Sequence, residues 1–542
     1  MYSDIPQINT LTALLVAHGI DKAVVCPGSR NAPIVHNLDH CPSISCFPVT
    51  DERSAGFYAL GMAQQRGKGG VAVCVTSGTA LLNLLPAVAE AYYQHVPFVV
   101  ISADRPSQWI DQNEGQTLHQ EGALDSYVNK SVCLPEPHTE EELWHTNRLV
   151  NEALMAMQRN GGRPVHINIP VSEPLFGFTC PALPQERTIR LANTCTRTDA
   201  GEVAQTLLHA RRPMIVLGQL PENTLSRPQM QTLSRHAVVL AECIGSAYRY
   251  RNLESAVEKA GKDSRLWPDR IVYMGGNFIS KRLRHWLRAT GAETTYISRD
   301  GKLADTFMNT TSLLPCERLD DFCTDLCRQL ENNGHRTAED HARPFISMWQ
   351  DLQDSAQQQA DGYAPSDMET LMAKHTEELI DRIGCNVAVH YANSTVIRKA
   401  DLFARHYVWC NRGVNGIDGS ISTAAGFSLA YDGLVVCITG DLSFFYDQNA
   451  LWNSHLKENF IVVLINNGEG GIFRKLNGLE KSPALDTLVS APHHATAKGI
   501  CLQNGMDHFT VRTTGELENA WETACAKGRK RAAVIEAIID RT

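Results

Sequence analysis

Two apolar runs near the C-terminus constrain this chain more than any other feature. Leu434-Val435-Val436-Cys437-Ile438-Thr439 leads into Gly440-Asp441-Leu442-Ser443. Phe460-Ile461-Val462-Val463-Leu464-Ile465 leads into Asn466-Asn467-Gly468-Glu469-Gly470-Gly471. Continuous runs rich in β-branched residues read as strands buried on both faces, which are parallel strands covered by helices. Each run therefore delivers a small polar cluster to its carboxyl end, the edge where open α/β sheets bind ligands. An Asp carboxylate, an Asn amide oxygen and a carbonyl on a Gly-rich turn make a hard oxygen set. Such a set suits Mg²⁺ shared with the phosphates of a ligand.

The same pattern recurs upstream. Ala23-Val24-Val25-Cys26 ends in Pro27-Gly28-Ser29-Arg30, Gly70 to Val75 ends in Thr76-Ser77-Gly78-Thr79-Ala80, and Pro97 to Ser102 ends in Ala103-Asp104-Arg105-Pro106. Leu81 to Tyr93 reads as one helix, and Val165 to Pro170 as another strand. The Pro-rich stretch from Pro170 to Pro184 reads as a linker. A middle α/β segment follows, from about Ile189 to Leu330, and a polar, Gln-rich helix from Trp349 to Ala360 joins it to the last domain. At 542 residues the chain is too long for one domain, and three of roughly 100–200 residues are expected.

Net charge is −9 with no long basic run, which argues against nucleic acid as a partner. No apolar run approaches the ~20 residues that span a bilayer. The N-terminus, Met1-Tyr2-Ser3-Asp4-Ile5-Pro6, lacks a signal-peptide pattern, so a cytoplasmic enzyme with no membrane contact is expected. The sixteen cysteines are scattered without a Cys-x-x-Cys pair and read as reduced, buried thiols.

A second chemical cluster is Val49-Thr50-Asp51-Glu52-Arg53-Ser54-Ala55-Gly56, which precedes a helix read from Ala55 to Gln65. Alone, Glu52 would be a first-turn acid stabilised by the helix dipole. The Gly440–Gly471 pattern changes that reading, because it resembles the diphosphate anchor of thiamine diphosphate enzymes. Such enzymes need one buried carboxylate to bond the pyrimidine N1′ and promote the imino tautomer that removes the thiazolium C2 proton. Burial favours that work by raising a carboxylate's pKa.

The four upstream clusters recur in this order in one family, together with Asn411-Arg412-Gly413, Gly416-Ile417-Asp418-Gly419 and the Asp-Leu-Ser form of the anchor. The chain resembles, over nearly its full length, the 2-succinyl-5-enolpyruvyl-6-hydroxy-3-cyclohexene-1-carboxylate (SEPHCHC) synthase family of menaquinone biosynthesis. The resemblance implies an α/β thiamine diphosphate-binding fold of three domains with parallel sheets flanked by helices. These are a pyrimidine-binding domain (1–178), a central α/β domain (179–350) and a diphosphate-binding domain (351–542). It implies thiamine diphosphate with Mg²⁺ as cofactors, Mn²⁺ being a substitute. It implies a transferase that decarboxylates 2-oxoglutarate and adds the resulting acyl-anion equivalent 1,4 to isochorismate.

The resemblance assigns Glu52 as the catalytic acid. It puts Asp441 and Asn467 on the metal as side-chain ligands and Glu469 through its carbonyl, with the Glu469 side chain expected to point outward. Cofactor contacts fall on Ser77, Arg412, Gly416 and Ile417, and on Leu442, Ser443, Gly470 and Ile472 around the anchor. Ile417 would support the bent cofactor, while Ile472, Phe473 and Leu476 would wall the cavity and exclude water. Both substrates are dianions, so an acidic protein needs a local cationic pocket, and the planar fork of arginine suits carboxylates. The family pattern puts substrate contacts at Ser29, Arg30, Arg105 and Gln116, at Lys281 and Arg282, and at Ser394, Arg398, Arg412 and Phe473. Glu52 and Asp441 would serve one cofactor from different chains, which predicts a homodimer, a homotetramer (a dimer of dimers) being the alternative.

Two other readings remain open from the residues alone. One is a different thiamine diphosphate carboligase, such as an acetolactate synthase-like enzyme. The other is a non-catalytic thiamine-binding regulator, against which the presence of Glu52 argues. A dinucleotide-binding dehydrogenase is weaker, because Gly275-Gly276 lacks the Gly-x-Gly-x-x-Gly spacing.

Overall fold

A computed structural model describes residues 1–65, 69–191, 200–334, 339–384, 386–526 and 528–539. It holds three sheets of six, five and six strands, every pair parallel. The first runs, edge to edge, Ser45–Pro48, Ile20–Val25, Gly70–Val75, Val99–Asp104, Val165–Pro170, Ser131–Cys133. The last runs Trp409–Cys410, Val387–Tyr391, Leu434–Gly440, Phe460–Asn466, Ala533–Ile538, Asp507–Val511. Numbered by sequence, both follow the order 2-1-3-4-6-5. The direction of winding therefore reverses between strands 1 and 3 of each, where a crevice opens at the carboxyl edge. The middle sheet runs Thr310–Pro315, Glu293–Ser298, Arg270–Met274, Pro213–Leu217, Val238–Ala241.

The apolar runs are the centres of these sheets. Every residue of Phe460–Asn466 is buried, as is every residue of Val99–Asp104. The two outer domains share one apolar core, in which Phe57, Tyr58 and Leu60 pack with Ile421, Ala424 and Phe427. The contact is a crossing of the Glu52–Ala63 helix on the Ser420–Ala430 helix, and two glycines bring the backbones together. A Cβ on Gly61 would lie 1.9 Å from the Thr423 carbonyl oxygen, and one on Gly426 would lie 2.2 Å from that of Tyr58.

Three sequence expectations change. The helix read from Leu81 to Tyr93 is two, Thr79–Asn83 and Leu85–Gln94. Pro86 has no N–H to bond the carbonyl four residues back and its ring crowds that carbonyl, so the first helix stops before it. The stretch from Pro170 to Pro184 is no free linker. It turns back on the N-terminus, where Asp4 Oδ1 accepts from the Thr179 N–H and hydroxyl, 2.7 Å each, and Tyr2 bridges Cys180. The Gln-rich helix, Glu339–Asp361, is docked on the middle domain, with Trp349 fully buried and its Nε1 donating to the Leu266 carbonyl at 3.0 Å. The described cysteines are all unbridged, and no described helix is long and apolar enough to cross a membrane.

Candidate active site

Polar residues collect at the carboxyl edges of the two six-stranded sheets. In the last sheet, Asp441 follows Leu434–Gly440 directly and is 3% exposed. Its Oδ1 accepts from Leu442 N at 2.7 Å, and its Oδ2 accepts from Gly468 N at 2.7 Å and Glu469 N at 3.1 Å. Asn467 Oδ1 accepts from the same Glu469 N–H at 3.1 Å. The carboxylate, the amide oxygen and the Gly-rich turn thus converge from two adjacent strand ends. This oxygen-only set fits a hard divalent cation. Burial pushes the Asp441 carboxyl above its ordinary pKa, and the surrounding N–H groups oppose that shift. His493 Nε2 lies 3.4 Å from Asp441 Oδ2, a neighbour that the sequence reading missed.

Glu469 corrects an expectation. Its side chain is not turned out to solvent: it is 10% exposed and makes a two-point ion pair with Arg474, 2.5 and 2.7 Å. Arg474 also holds Asp486 at 2.7 Å, so the extra negative charge beside the turn is neutralised where it stands. The close approach of Gly470 to the Phe473 ring, 2.8 Å for an added Cβ, fixes how Ile472 and Phe473 leave the turn. Leu476, a few residues on, is 42% exposed.

The Arg412–Ile417 loop is built by Asn393. Its Nδ2 donates to the carbonyls of Asn411 (2.6 Å) and Gly416 (2.7 Å), and its Oδ1 accepts from Arg412 Nη1 at 3.0 Å. Arg412 Nη2 donates to the Phe278 carbonyl at 2.6 Å, tying the loop to the middle domain. Ser443 Oγ donates to the Ile417 carbonyl at 2.6 Å, which brings Ile417 beside the anchor with its side chain 40% exposed. Ser394 has a φ of 76° at the N-terminus of the Thr395–Phe403 helix, where Arg398 stands exposed.

At the first sheet, Arg30 is nearly buried and donates through Nη1 to the Val171 carbonyl at 2.9 Å. Burial, and then the nearby Arg105, hold its guanidinium below the usual pKa. Arg105 donates to the Gly115 carbonyl at 3.0 Å and pairs with Glu114 at 3.1 Å, while Gln116 and Ser29 are exposed. Beside the buried Ser77, the Gly78 N–H donates to Gln120 Oε1 at 2.7 Å, and Gln120 in turn bonds the Ala103 carbonyl and Asn168. Gln120 is thus a brace for the Ser77 turn that the sequence reading missed.

Glu52 opens the Glu52–Ala63 helix, capped by Asp51 Oδ1, which accepts from Ser54 N at 3.1 Å. Glu52 is half-buried, less than the sequence reading expected. Its neighbours are engaged across the domain boundary. Arg53 Nη2 donates to the Tyr446 carbonyl at 2.8 Å, and Asn449 Nδ2 donates to Asp51 at 2.6 Å. Tyr446 ends the six-residue helix that Asp441 begins, so its carbonyl lies roughly 8 Å along that axis from Asp441. The middle domain contributes the Lys281–Thr290 helix, whose preceding N–H groups, Ile279 (2.6 Å) and Ser280 (2.7 Å), donate to the buried Glu242. Lys281 is exposed, and Arg282 is committed to an ion pair with Glu258.

Residues 8–123 match the description "Thiamine pyrophosphate enzyme, N-terminal TPP binding domain", and residues 383–537 match "Thiamine pyrophosphate enzyme, C-terminal TPP binding domain". The chain is 42% identical to a 2-succinyl-5-enolpyruvyl-6-hydroxy-3-cyclohexene-1-carboxylate synthase of Bacteroides thetaiotaomicron, over 96% of this chain and 94% of that protein. The chain belongs to the SEPHCHC synthase family of thiamine pyrophosphate enzymes. Synthases of the same name from Phocaeicola vulgatus and Porphyromonas gingivalis are 39% and 36% identical, over 96% and 99% of this chain and 93% and 94% of theirs. As a member of the SEPHCHC synthase family it is a thiamine diphosphate-dependent transferase; the first matched region contains four of the six strands of the first sheet, and the second contains almost all of the last sheet.

Proposed function

We propose that this enzyme decarboxylates 2-oxoglutarate and joins the remaining four-carbon unit to isochorismate by 1,4-addition, releasing CO₂ and SEPHCHC for menaquinone biosynthesis. The observation that carries this reading is identity over nearly the whole chain with synthases of that name. Thiamine diphosphate, when bound, supplies the electron sink for decarboxylation and carbon–carbon bond formation.

The protein's part is orientation and charge. Asp441, Asn467 and the Glu469 carbonyl hold Mg²⁺, or Mn²⁺ in its place, and through it the diphosphate. Ser77 at the first sheet, Gly416 and Ile417 on the loop, and Leu442, Ser443, Gly470 and Ile472 around the anchor seat the rest of the cofactor. Glu52 holds a proton at the pyrimidine N1′ and is the catalytic acid. Arg30 and Arg105 face the same edge as Ser29 and Gln116. Arg412 and Arg398 extend the positive surface from the other sheet with Ser394 and Phe473, and Lys281 and Arg282 do so from the middle domain. Together they offset the four carboxylates of the two substrates in a protein of net charge −9. For Arg282 this requires release from Glu258.

The half-exposed Glu52 and the half-exposed Ile417 are each one side of a site. A homodimer in which the first domain of one chain faces the last domain of another would bury both, and a tetramer would repeat that pairing. The enzyme works in the cytoplasm on small molecules, without nucleic acid or membrane. The direct test is isochorismate consumption by the purified protein with thiamine diphosphate, Mg²⁺ and 2-oxoglutarate, omitting each in turn. Loss of isochorismate that needs all three, with a product of SEPHCHC mass, is expected. CO₂ release from 2-oxoglutarate with isochorismate untouched would keep the cofactor chemistry and overturn the acceptor.

A further inference from the structure

The Arg412–Val414 backbone is gripped from two domains at once. Its N–H groups point to the first domain: Gly413 N donates to Glu90 Oε1 and Val414 N to Glu90 Oε2, both at 2.6 Å. Its carbonyls point to the middle domain, where Asn277 Nδ2 donates to those of Arg412 (2.8 Å) and Gly413 (3.0 Å). Glu90 stands on the Leu85–Gln94 helix, 3% exposed. Its third donor is Gln94 Nε2 at 2.6 Å, and Gln94 Oε1 is itself held by Gln64 at 3.1 Å. Burial raises the Glu90 carboxyl's pKa, and these three donors oppose the shift.

A buried carboxylate is an expensive way to join two domains if joining is its only task. Here the two consecutive N–H groups each meet their own oxygen of one planar group, an arrangement that a carboxylate supplies and an amide, with a single oxygen, does not. The fit is also tight from the other side, since a Cβ on Gly413 would lie 2.7 Å from the Glu90 carbonyl and 2.9 Å from its Oε1. The helix bearing Glu90 packs on the helix that begins at Glu52: an added Cβ on Gly56 would meet the Ala87 Cβ at 2.7 Å. Glu90 therefore links the catalytic helix of the first domain to the loop carrying Arg412, Gly416 and Ile417.

We propose that Glu90 is a positioning residue for the reaction, its carboxylate setting the Arg412–Ile417 loop so that Arg412 meets the substrate carboxylate and Ile417 the cofactor. This rests on the substrate and cofactor roles given to that loop above. Glu90 touches neither substrate nor cofactor and acts only through the two N–H groups it holds.

The test is a cycle of Glu90→Gln, Arg412→Ala and the double variant. Three readouts are taken: the thermal midpoint of the apoprotein, thiamine diphosphate affinity by quenching of intrinsic tryptophan fluorescence with Mg²⁺ present, and kcat and KM for 2-oxoglutarate. Glu90→Gln is expected to raise the cofactor half-saturation and the KM for 2-oxoglutarate together, each by about tenfold, the scale of a lost charged hydrogen bond. The double variant is expected to have the same KM as Arg412→Ala alone, because the two residues act as one unit. Unchanged KM and cofactor affinity in Glu90→Gln, with or without a lower midpoint, would overturn the proposal. Effects that multiply in the double variant would overturn it too. If Arg412→Ala itself keeps a wild-type KM, the substrate reading of the loop fails, and the Glu90 proposal with it. Should Glu90→Gln not fold, Gly413→Ala pushes the same loop while leaving Glu90 in place. It is expected to raise KM alike, and a wild-type KM there would overturn the proposal.

Discussion

The first and last sheets have the same strand order, 2-1-3-4-6-5, yet carry different chemistry at matching strand ends. After strand 3, one places Ser77 and Gly78 and the other Asp441. After strand 4, one places Arg105 and the other Asn467. After strand 2, one chain segment leads into the Glu52–Ala63 helix and the other, through Arg412 and Ile417, into the Ser420–Ala430 helix, and these two matching helices pack on each other. One scaffold thus presents an edge of acid and cations, and the other an edge of carboxylate, amide and backbone N–H groups. Function is carried by the loops while the strands supply a common frame.

Substitutions at the two edges should fail in different ways. Glu52→Gln is expected to slow turnover by about 10²–10⁴-fold while leaving thiamine diphosphate affinity and the thermal midpoint near wild type. Asp441→Ala is expected to weaken Mg²⁺-dependent cofactor binding by about 10–100-fold or more, with turnover partly restored at high Mg²⁺ and cofactor. Near-wild-type turnover in the first variant, or unchanged affinity in the second, would erase the division of labour between the sheets. The shared frame can be broken without touching chemistry. Gly61→Ala sets a methyl group against the Thr423 carbonyl, 1.9 Å away in the unrelaxed crossing, and is expected to cost about 1–3 kcal/mol in denaturant unfolding.

A further effect, absent at neutral pH, concerns acid stability. Burial lowers the pKa of His166 in the first sheet to about 4 and that of His390 in the last to about 3. Unfolded, each titrates near 6.5. Below that pH the unfolded chain takes up protons that the folded chain refuses, so stability falls as pH drops from about 6.5 toward 4 and is indifferent to these groups above it. The slope per histidine is at most about 1.4 kcal/mol per pH unit. His390 stacks on Trp409 and meets Phe427 edge-on, and His390→Phe should remove the last sheet's share and flatten the midpoint–pH curve of the apoprotein below pH 6.5. An unchanged slope would show that the last sheet does not contribute.

The core strands were legible because strands buried on both faces read as apolar runs, Phe460 to Ile465 being the clearest. The edge strand Thr310–Pro315 was not, because it is half exposed and mixes polar with apolar residues. Asp441, Asn467 and Glu52 stood out because each sits where a strand or helix pattern changes. Gln120, Asn393 and Glu90 did not, because their partners lie far away in sequence or on loops that only the fold brings near. The pairing of Glu469 with Arg474 was within reach, since the two are five residues apart, but the Gly-rich turn that aims them at each other has no periodic signal.

The central claim is that one cofactor site joins the first-sheet edge of one chain to the last-sheet edge of another. Co-expressing differently tagged Glu52→Gln and Asp441→Ala chains and assaying the doubly tagged dimers tests it most directly. If the edges cross between chains, each hybrid dimer has one doubly damaged site and one intact site, and the doubly tagged dimers should recover about half of wild-type turnover. If both edges serve a site within one chain, every site in the hybrid keeps one defect, and activity no higher than that of the separate variants would contradict the account.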